Sequence, residues 1–351
     1  MMDERSYLQP ESGRKLGLGG IKFSDAQSRL VFRPVGGLAA LSRILAAFAG
    51  KRINLHQLVF RKIPVGGVEL YLARNAYLQN RSLIDGELDS HGLAPAEVAE
   101  PVGTLTLFPH ASSMEVLLKV IGIAVGSGLP VHSMCSSLSA LCIATDAERL
   151  DELAGALLEV FSLPDGHSPF RYEQSDLDRR LTGGQGRIVE TIARYWEQVI
   201  RIYGSSLKTG LTGVSVSADG DRLLEVIGEL ADCRIARFLM VELTGTESGR
   251  YSLQLIFDPE HQHGAAAALS FGLERIDNIE YYVWKGLELL FFHGPHFQDR
   301  YGVMHTAVAA LSEASVEISS AICSGTGVHL VAKEEAGRHM LDVLGEVFVV
   351  P

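Results

Sequence analysis

The chain has 351 residues, of which 47% are hydrophobic and 21% charged, with a formal net charge of −11 at pH 7. This describes a folded chain of several domains rather than a disordered one, and the acidic balance excludes a dedicated nucleic-acid protein, which needs a basic surface. The apolar runs, residues 39–49 and 307–311 among them, stop short of the roughly 18 to 20 residues of a membrane-spanning helix, so no membrane association is expected.

Four cysteines, Cys135, Cys142, Cys233 and Cys323, show no CxxC spacing and read as reduced thiols of a cytoplasmic protein. Residues 1–17 are polar and lack the apolar core of a signal peptide. Having little to bury, residues 1–18 are expected to be a flexible terminus.

In chain order, residues 29–32 read as a strand broken by Gly36-Gly37. Leu38, Leu41, Ile44, Leu45 and Phe48 then recur at helical spacing. Extended runs follow at 53–55 and 68–72. The order returns with a strand at 104–108, a helix at 114–124, strands at 129–134 and 140–145, and a helix at 148–161. Residues 164–186, rich in Pro, Gly, Ser, Asp and Arg, read as a linker. Beyond it Ile188, Ile192, Trp196, Val199 and Tyr203 predict an amphipathic helix over 187–203, packed on the adjacent module or pairing two protomers. Strands then fall at 214–216, 235–243 and 251–257, with helices at 222–230 and 263–271. A last set places strands at 287–292, 316–322 and 327–332, with helices at 303–311 and 334–347.

The chain also repeats itself. Residues 157–164 and 344–351 share Leu-x-Glu-Val-Phe-x-apolar-Pro, and Cys135-Ser136 matches Cys323-Ser324 upstream, so the second half reads as a duplicate of the first. Each half splits again, giving an α+β fold of four ferredoxin-like βαββαβ modules in two tandem pairs, with antiparallel sheets and helices on one face. The modules are placed at 19–92, 93–164, 205–277 and 278–351, with the linker and helix at 165–204.

Phe297-Gln298-Asp299-Arg300-Tyr301-Gly302-Val303 resembles the Asp-Arg-Pro-Gly-Val loop of ACT domains, and it runs into a helix and then the strand Val316-Glu317-Ile318-Ser319-Ser320. Residues 28–72, including Arg52-Ile53-Asn54-Leu55, are similar to the first ACT module of aspartate kinases. Other modules depart from the pattern. The first has Pro34-Val35-Gly36-Gly37-Leu38, without the acid; the second, Pro109-His110-Ala111-Ser112-Ser113, has no glycine; the third, Ala218-Asp219-Gly220-Asp221, is short and acidic. The resemblance implies an amino-acid effector bound at module seams, allosteric regulation, homo-oligomers that pair modules within the chain or across a dimer, and a partner enzyme of amino-acid metabolism.

Physics gives the fourth loop a purpose of its own. A glycine at a strand-to-helix junction lets the backbone approach a ligand, and the first helical N–H groups receive a carboxylate. The candidate ligand-binding set is Asp299, Arg300, Tyr301, Gly302 and Val303 with His296, completed by backbone groups at Ile318, Ser319 and Ser320. Gly36, Gly37 and Asn54 are the counterparts in the first module. Asp299 reads equally as a cap of the following helix.

No P-loop, GxSxG, HExxH or GxGxxG element opens a helix after a strand; Gly183-Gly184-Gln185-Gly186 reads as linker and cap. Gly19-Gly20-Ile21-Lys22-Phe23 shares letters with the Lys-Phe-Gly-Gly opening of aspartate kinases but not their order. The pairs His261/His263 and His293/His296 lack a third metal ligand. The sequence therefore predicts a regulatory sensor that is not an enzyme, with no metal and no cofactor. Its alternatives are a structural module that docks an enzyme, and an aspartate kinase-like protein assigned by its regulatory region.

Overall fold

The computed structural model describes residues 15–62, 67–165, 170–172, 200–246, 248–258, 264–294, 297, 300–325 and 327–349. The chain forms two compact units. Unit 1 holds residues 1–23, 103–170 and 210–287, and unit 2 holds residues 24–102, 171–209 and 288–351.

Strand and helix succession follows one scheme. The first pass is β1 (Leu16–Gly17), β2 (Gly20–Phe32), α1 (Leu38–Gly50), β3 (Leu55–Arg61), β4 (Gly67–Ala73), α2 (Arg74–Asp89) and β5 (Glu97–Phe108). The chain continues through α3 (Met114–Gly126), β6 (Val131–Ser136), β7 (Leu141–Asp146), α4 (Leu150–Val160), β8 (Phe161–Ser162) and β9 (Phe170–Tyr172). The later part repeats this with β10 (Ile200–Arg201), β11 (Gly204–Asp219), α5 (Gly220–Asp232), β12 (Met240–Gly245), β13 (Arg250–Phe257), α6 (Ala265–Leu273) and β14 (Glu280–His293). It closes with α7 (Val303–Glu313), β15 (Ser320–Ser324), β16 (Gly327–Lys333), α8 (Ala336–Val347) and β17 (Phe348–Val349).

In unit 2, β2, β4 and β3 pair antiparallel, and β3 runs antiparallel to β15, with Val59 opposite Ile322. In unit 1, β11, β13 and β12 pair likewise, and β12 meets β6, with Leu243 opposite Met134. Strand pairing therefore joins segments of the two halves of the chain rather than neighbours in sequence. Residues 24–102 pair with 288–351, and residues 103–170 with 210–287. Periodicity sets each strand's faces but carries no information about which distant edge it meets, and this is why the pattern could not decide the pairing.

Alternation places one face of each sheet against helices. In unit 2, Leu58 and Phe60 of β3 join Leu70 and Leu72 of β4 and Leu41, Ile44 and Phe48 of α1 in one core. On the opposite face, Arg29 is buried among charges: its Nε donates to Glu69 Oε2 at 3.1 Å, it pairs with Glu97, and Tyr71 also donates to Glu69. Burial works against the Arg29 charge, but Tyr71 and Glu69 more than offset it and raise the guanidinium pKa.

The repeated Leu-x-Glu-Val-Phe segments are the ends of α4 and α8. Each phenylalanine opens a two-residue strand in a parallel pair: Phe161 lies opposite Leu16, and Phe348 opposite Ile200. This corrects the end of the expected helix over 187–203. Ile200–Arg201 is a strand tied to β17, and exposed Tyr203 follows it; residues 187–199 of the expected helix and residues 1–14 of the terminus expected to be flexible lie outside the described residues. The helix α2 went unread because its Tyr77, Ile84 and Leu88 are its only buried residues, a sparse stripe on a polar sequence.

Candidate functional site: a cleft at the α1–α7 seam

The seam of unit 2 brings α1 alongside α7. A Cβ built on Gly302 would lie 3.9 Å from Ala49 Cβ, so the N-terminus of α7 meets the last turn of α1. Between them lies a shallow cleft open to solvent, with about 20 Å³ of room for the centres of water-sized molecules. One side is built by Leu45, Phe48 and Ala49 of α1 and by Ile53, Asn54 and Leu55 leading into β3. The other side is Phe297 and Arg300 with Gly302, Val303, Met304 and His305, while Cys323 comes from β15.

Local sequence explains this shape. Gly302 is the N-cap of α7 in a left-handed conformation (φ 84°), which suits glycine. It makes no side-chain cap bond, and the first turn of α7 has no acidic residue. Early amides of a helix lack intrahelical acceptors, and the macrodipole places partial positive charge at that end. The opposite partial charge collects at the end of α1, where Lys51 is the C-cap and the Phe48 and Ala49 carbonyls accept the backbone amides of Lys51, Arg52 and Ile53. One cleft is thus bordered by both kinds of helix end. His305 Nδ1 is buried without a hydrogen-bond partner among the described residues. Burial pushes the Cys323 thiol up to about 12, so it is an uncharged wall group.

Among the residues singled out in the sequence, Asn54, Arg300, Gly302 and Val303 share this cleft. Asp299 and His296 lie outside the described residues. Tyr301 is half-buried in the turn before α7. Gly36 and Gly37 sit at the other end of α1, twelve residues before Ala49, or about 18 Å along the helix. Ile318 is in the core. The Ser319 amide donates to Val331 and its carbonyl accepts from Lys62, while Ser320 pairs with Arg61 and Val331. Sheet pairing therefore occupies the backbone groups at Ser319 that had been assigned to a ligand cage. His305 had no motif to mark it, Phe297 opened the motif-like loop without entering the candidate set, and Leu45 and Phe48 read as an ordinary core stripe.

Unit 1 treats its corresponding helix ends differently. Ser113 caps α3 by accepting from the Val116 amide at 3.3 Å, and Asp219 caps α5 by accepting from the Arg222 amide at 2.9 Å. Acids follow in both first turns, Glu115 and Asp221. The Met114 amide also donates to the Ala236 carbonyl at 3.1 Å, and the Phe238 amide donates to Ser112. His110 completes the closure: its Nδ1 accepts from the Ser112 amide, its Nε2 faces the Ser137 carbonyl, and its ring lies 4.9 Å from that of Phe238. Burial lowers the His110 pKa, which suits a neutral ring.

No protein-family model and no curated protein matches this sequence. Among solved structures, the chain is similar to an aspartate kinase from Synechocystis, with a TM-score of 0.71 and 11% identity, over 94% of this chain and 55% of that one. It is also similar to the ligand-free regulatory subunit of aspartate kinase from Thermus thermophilus (TM-score 0.37, 16% identity, 42% of this chain and 99% of that one). A third match is E. coli aspartokinase III in complex with lysine and aspartate (TM-score 0.32, 16% identity, 43% of this chain and 34% of that one). At such identities the first likeness shows a shared fold, and this chain spans about half the length of that kinase. The expectation of a protein that is not an enzyme is overturned by this match, which is to an enzyme across nearly the whole chain. That expectation rested on missing motifs and on space counted in modules. Catalytic groups brought together from distant positions leave no such motif. Among the described residues, no helix is long and apolar enough to cross a membrane, and no cluster of three or more metal-ligating side chains occurs.

Proposed function

We propose that the cleft between α1 and α7 binds a free amino acid, and that the chain is the effector-responsive part of an aspartate kinase-type protein. In this reading the four ACT-like modules, placed at 19–92, 93–164, 205–277 and 278–351, join first to fourth and second to third. The observation that carries the proposal is the pairing of opposite helix ends on one cleft. The amides at the start of α7, which take no cap bond from Gly302, receive the α-carboxylate with Arg300 nearby, and the C-terminal end of α1, with Asn54, receives the α-ammonium.

A ligand held by both segments of the seam favours the conformation in which they stand at that spacing, and it shifts the population only by its difference in affinity between states. The fold shared with the Synechocystis enzyme supports a kinase setting. The four cysteines are free thiols, which agrees with a reducing, cytoplasmic location.

The test is a thermal-shift panel of the twenty common amino acids on the full chain, with and without Arg300→Ala. Preferential binding to the native state raises Tm by mass action, so one or a few amino acids should raise the Tm of wild type, with the shift reduced or lost in the variant. A panel with no shift at millimolar ligand would remove the proposal.

A further inference from the structure

We infer that Cys135 and Cys142 are a redox-active pair, which hydrogen peroxide converts to a reversible cross-strand disulfide within unit 1. The two lie directly opposite each other where β6 and β7 pair antiparallel, and directly opposite residues of such a pair share one face of the sheet. That face is turned away from the helices. Met134, Leu141 and Ile143 belong to the helix-covered core of unit 1, whereas the alternate residues Cys135 and Cys142 do not. Both are thiols in this structure. The other cysteine of the repeated Cys-Ser motif is placed differently: Cys323 faces Leu58 on β3 and Val328 on β16.

Spacing suits a bond that forms and breaks. The Ser137 amide donates to the Ala140 carbonyl at 2.8 Å, and alternation makes Cys135 and Cys142 the next hydrogen-bonded pair, with Cα atoms about 5.5 Å apart. A disulfide spans about 4.4–6.8 Å between Cα atoms. Its Cβ atoms stand about 3.5–4.5 Å apart, slightly closer than the ~4.5–5.5 Å of opposite strand residues. The bond is therefore strained, and strained disulfides are the readily reduced ones.

The surroundings assign the roles. Burial pushes the Cys142 thiol up, while hydrogen bonds from Thr106 and Thr104 and the charge of Lys22 work against that shift. Cys142 is 8% exposed and Cys135 fully buried, with Glu242 of β12 facing Cys135 from its other side. The pair sits two residues from the hairpin turn at 137–140, where Leu138 is exposed, so local opening of the hairpin end admits a small oxidant. Cys142 is the attacking sulfur: it takes one oxygen of the peroxide, the O–O bond breaks, and a sulfenic acid and water result. Cys135 then attacks that sulfur; the S–S bond forms, the S–O bond breaks, and hydroxide leaves as water with the Cys135 proton. Two thiols lose two electrons in all, and one peroxide is reduced to two waters.

The test is oxidation of the full-length protein with millimolar hydrogen peroxide, then blocking of remaining thiols with N-ethylmaleimide in denaturant and tryptic mass spectrometry. Both cysteines fall on one tryptic peptide, residues 120–149. The disulfide should appear there as a loss of two hydrogens with no maleimide added, and dithiothreitol given to the native oxidised protein should restore two maleimide adducts. In Cys135→Ser the sulfenic acid on Cys142 should persist and be captured by dimedone, and in Cys142→Ser residue Cys135 should take none. Two maleimide adducts after peroxide, or a disulfide from either residue to Cys233 instead, would overturn the pair. Dimedone on Cys135 in Cys142→Ser would overturn the assignment of the attacking sulfur, and a bond that resists dithiothreitol would overturn its reversibility.

Discussion

The two seams share one plan, two antiparallel strands joined edge to edge beneath a pair of helices, yet they dispose of their helix N-termini in opposite ways. In unit 1 the chain satisfies the amides itself, through Ser113, Asp219 and the Ala236 carbonyl. His110 and Phe238 fill the remaining space. In unit 2, Gly302 offers no side-chain cap and leaves a cleft in the corresponding place. One fold can therefore hold a seam with capped helix ends and a seam with an open cleft, separated by a few side chains at the strand-to-helix turn. An N-cap side chain contributes roughly 1 kcal/mol. Omitting it is a modest local loss that a bound carboxylate can recover.

This contrast can be broken at several points. The largest expected effect lies on the buried sheet face of unit 2, where Arg29 and Glu69 face each other; β11 and β13 of unit 1 carry neutral Ser215 and Gln254 there. Glu69→Ala leaves the buried Arg29 guanidinium with Glu97 alone and the Tyr71 hydroxyl without its acceptor, and should cost about 3 kcal/mol in urea unfolding. A loss below about 1 kcal/mol would show that the network is not a structural element of unit 2. Next, Ser113→Ala should lower stability by about 1 kcal/mol and leave amino-acid binding unchanged, because the α3 terminus is not a ligand site. Altered binding in that variant would erase the distinction between the seams.

A smaller effect concerns pH. The His110 pKa is lowered in the folded state from its ordinary 6.5, so below that value the unfolded chain takes up a proton that the native ring refuses. Stability from this group is thus complete above 6.5 and falls as pH drops toward the folded pKa. Wild type should lose stability as pH falls through and below 6.5, and His110→Gln should show a shallower slope when both are followed by denaturant titration. Equal slopes would remove the plug role of His110.

Much of this contrast can be read in the sequence. Glycines at the turns before α1 and α7, a serine before α3 and an aspartate before α5, and the left-handed requirement at Gly302 are local matters of cap chemistry. The paired phenylalanines of the repeat mark two equivalent β-closures. Partners across the seam are another matter. Nothing in Asn54 or in the Leu45–Phe48–Ala49 turn announces that these residues face Arg300 and Met304, about 250 positions later. Likewise Ser319 and Ser320 looked available until sheet pairing was known, and Ile200–Arg201 fits a helical stripe until Phe348–Val349 takes it as a strand. Side chains that answer to local geometry are legible in this way, and those whose environment is assembled from distant segments are not.

The central claim is that the α1–α7 cleft is an amino-acid site and that the closed seam of unit 1 is not. Its most direct test is isothermal titration of the common amino acids into three full-length proteins: wild type, Arg300→Ala and Ser113→Ala. The account predicts one equivalent of ligand per chain in wild type and in Ser113→Ala, with binding weakened at least tenfold in Arg300→Ala. Undiminished binding in Arg300→Ala, or its loss in Ser113→Ala alone, would contradict it.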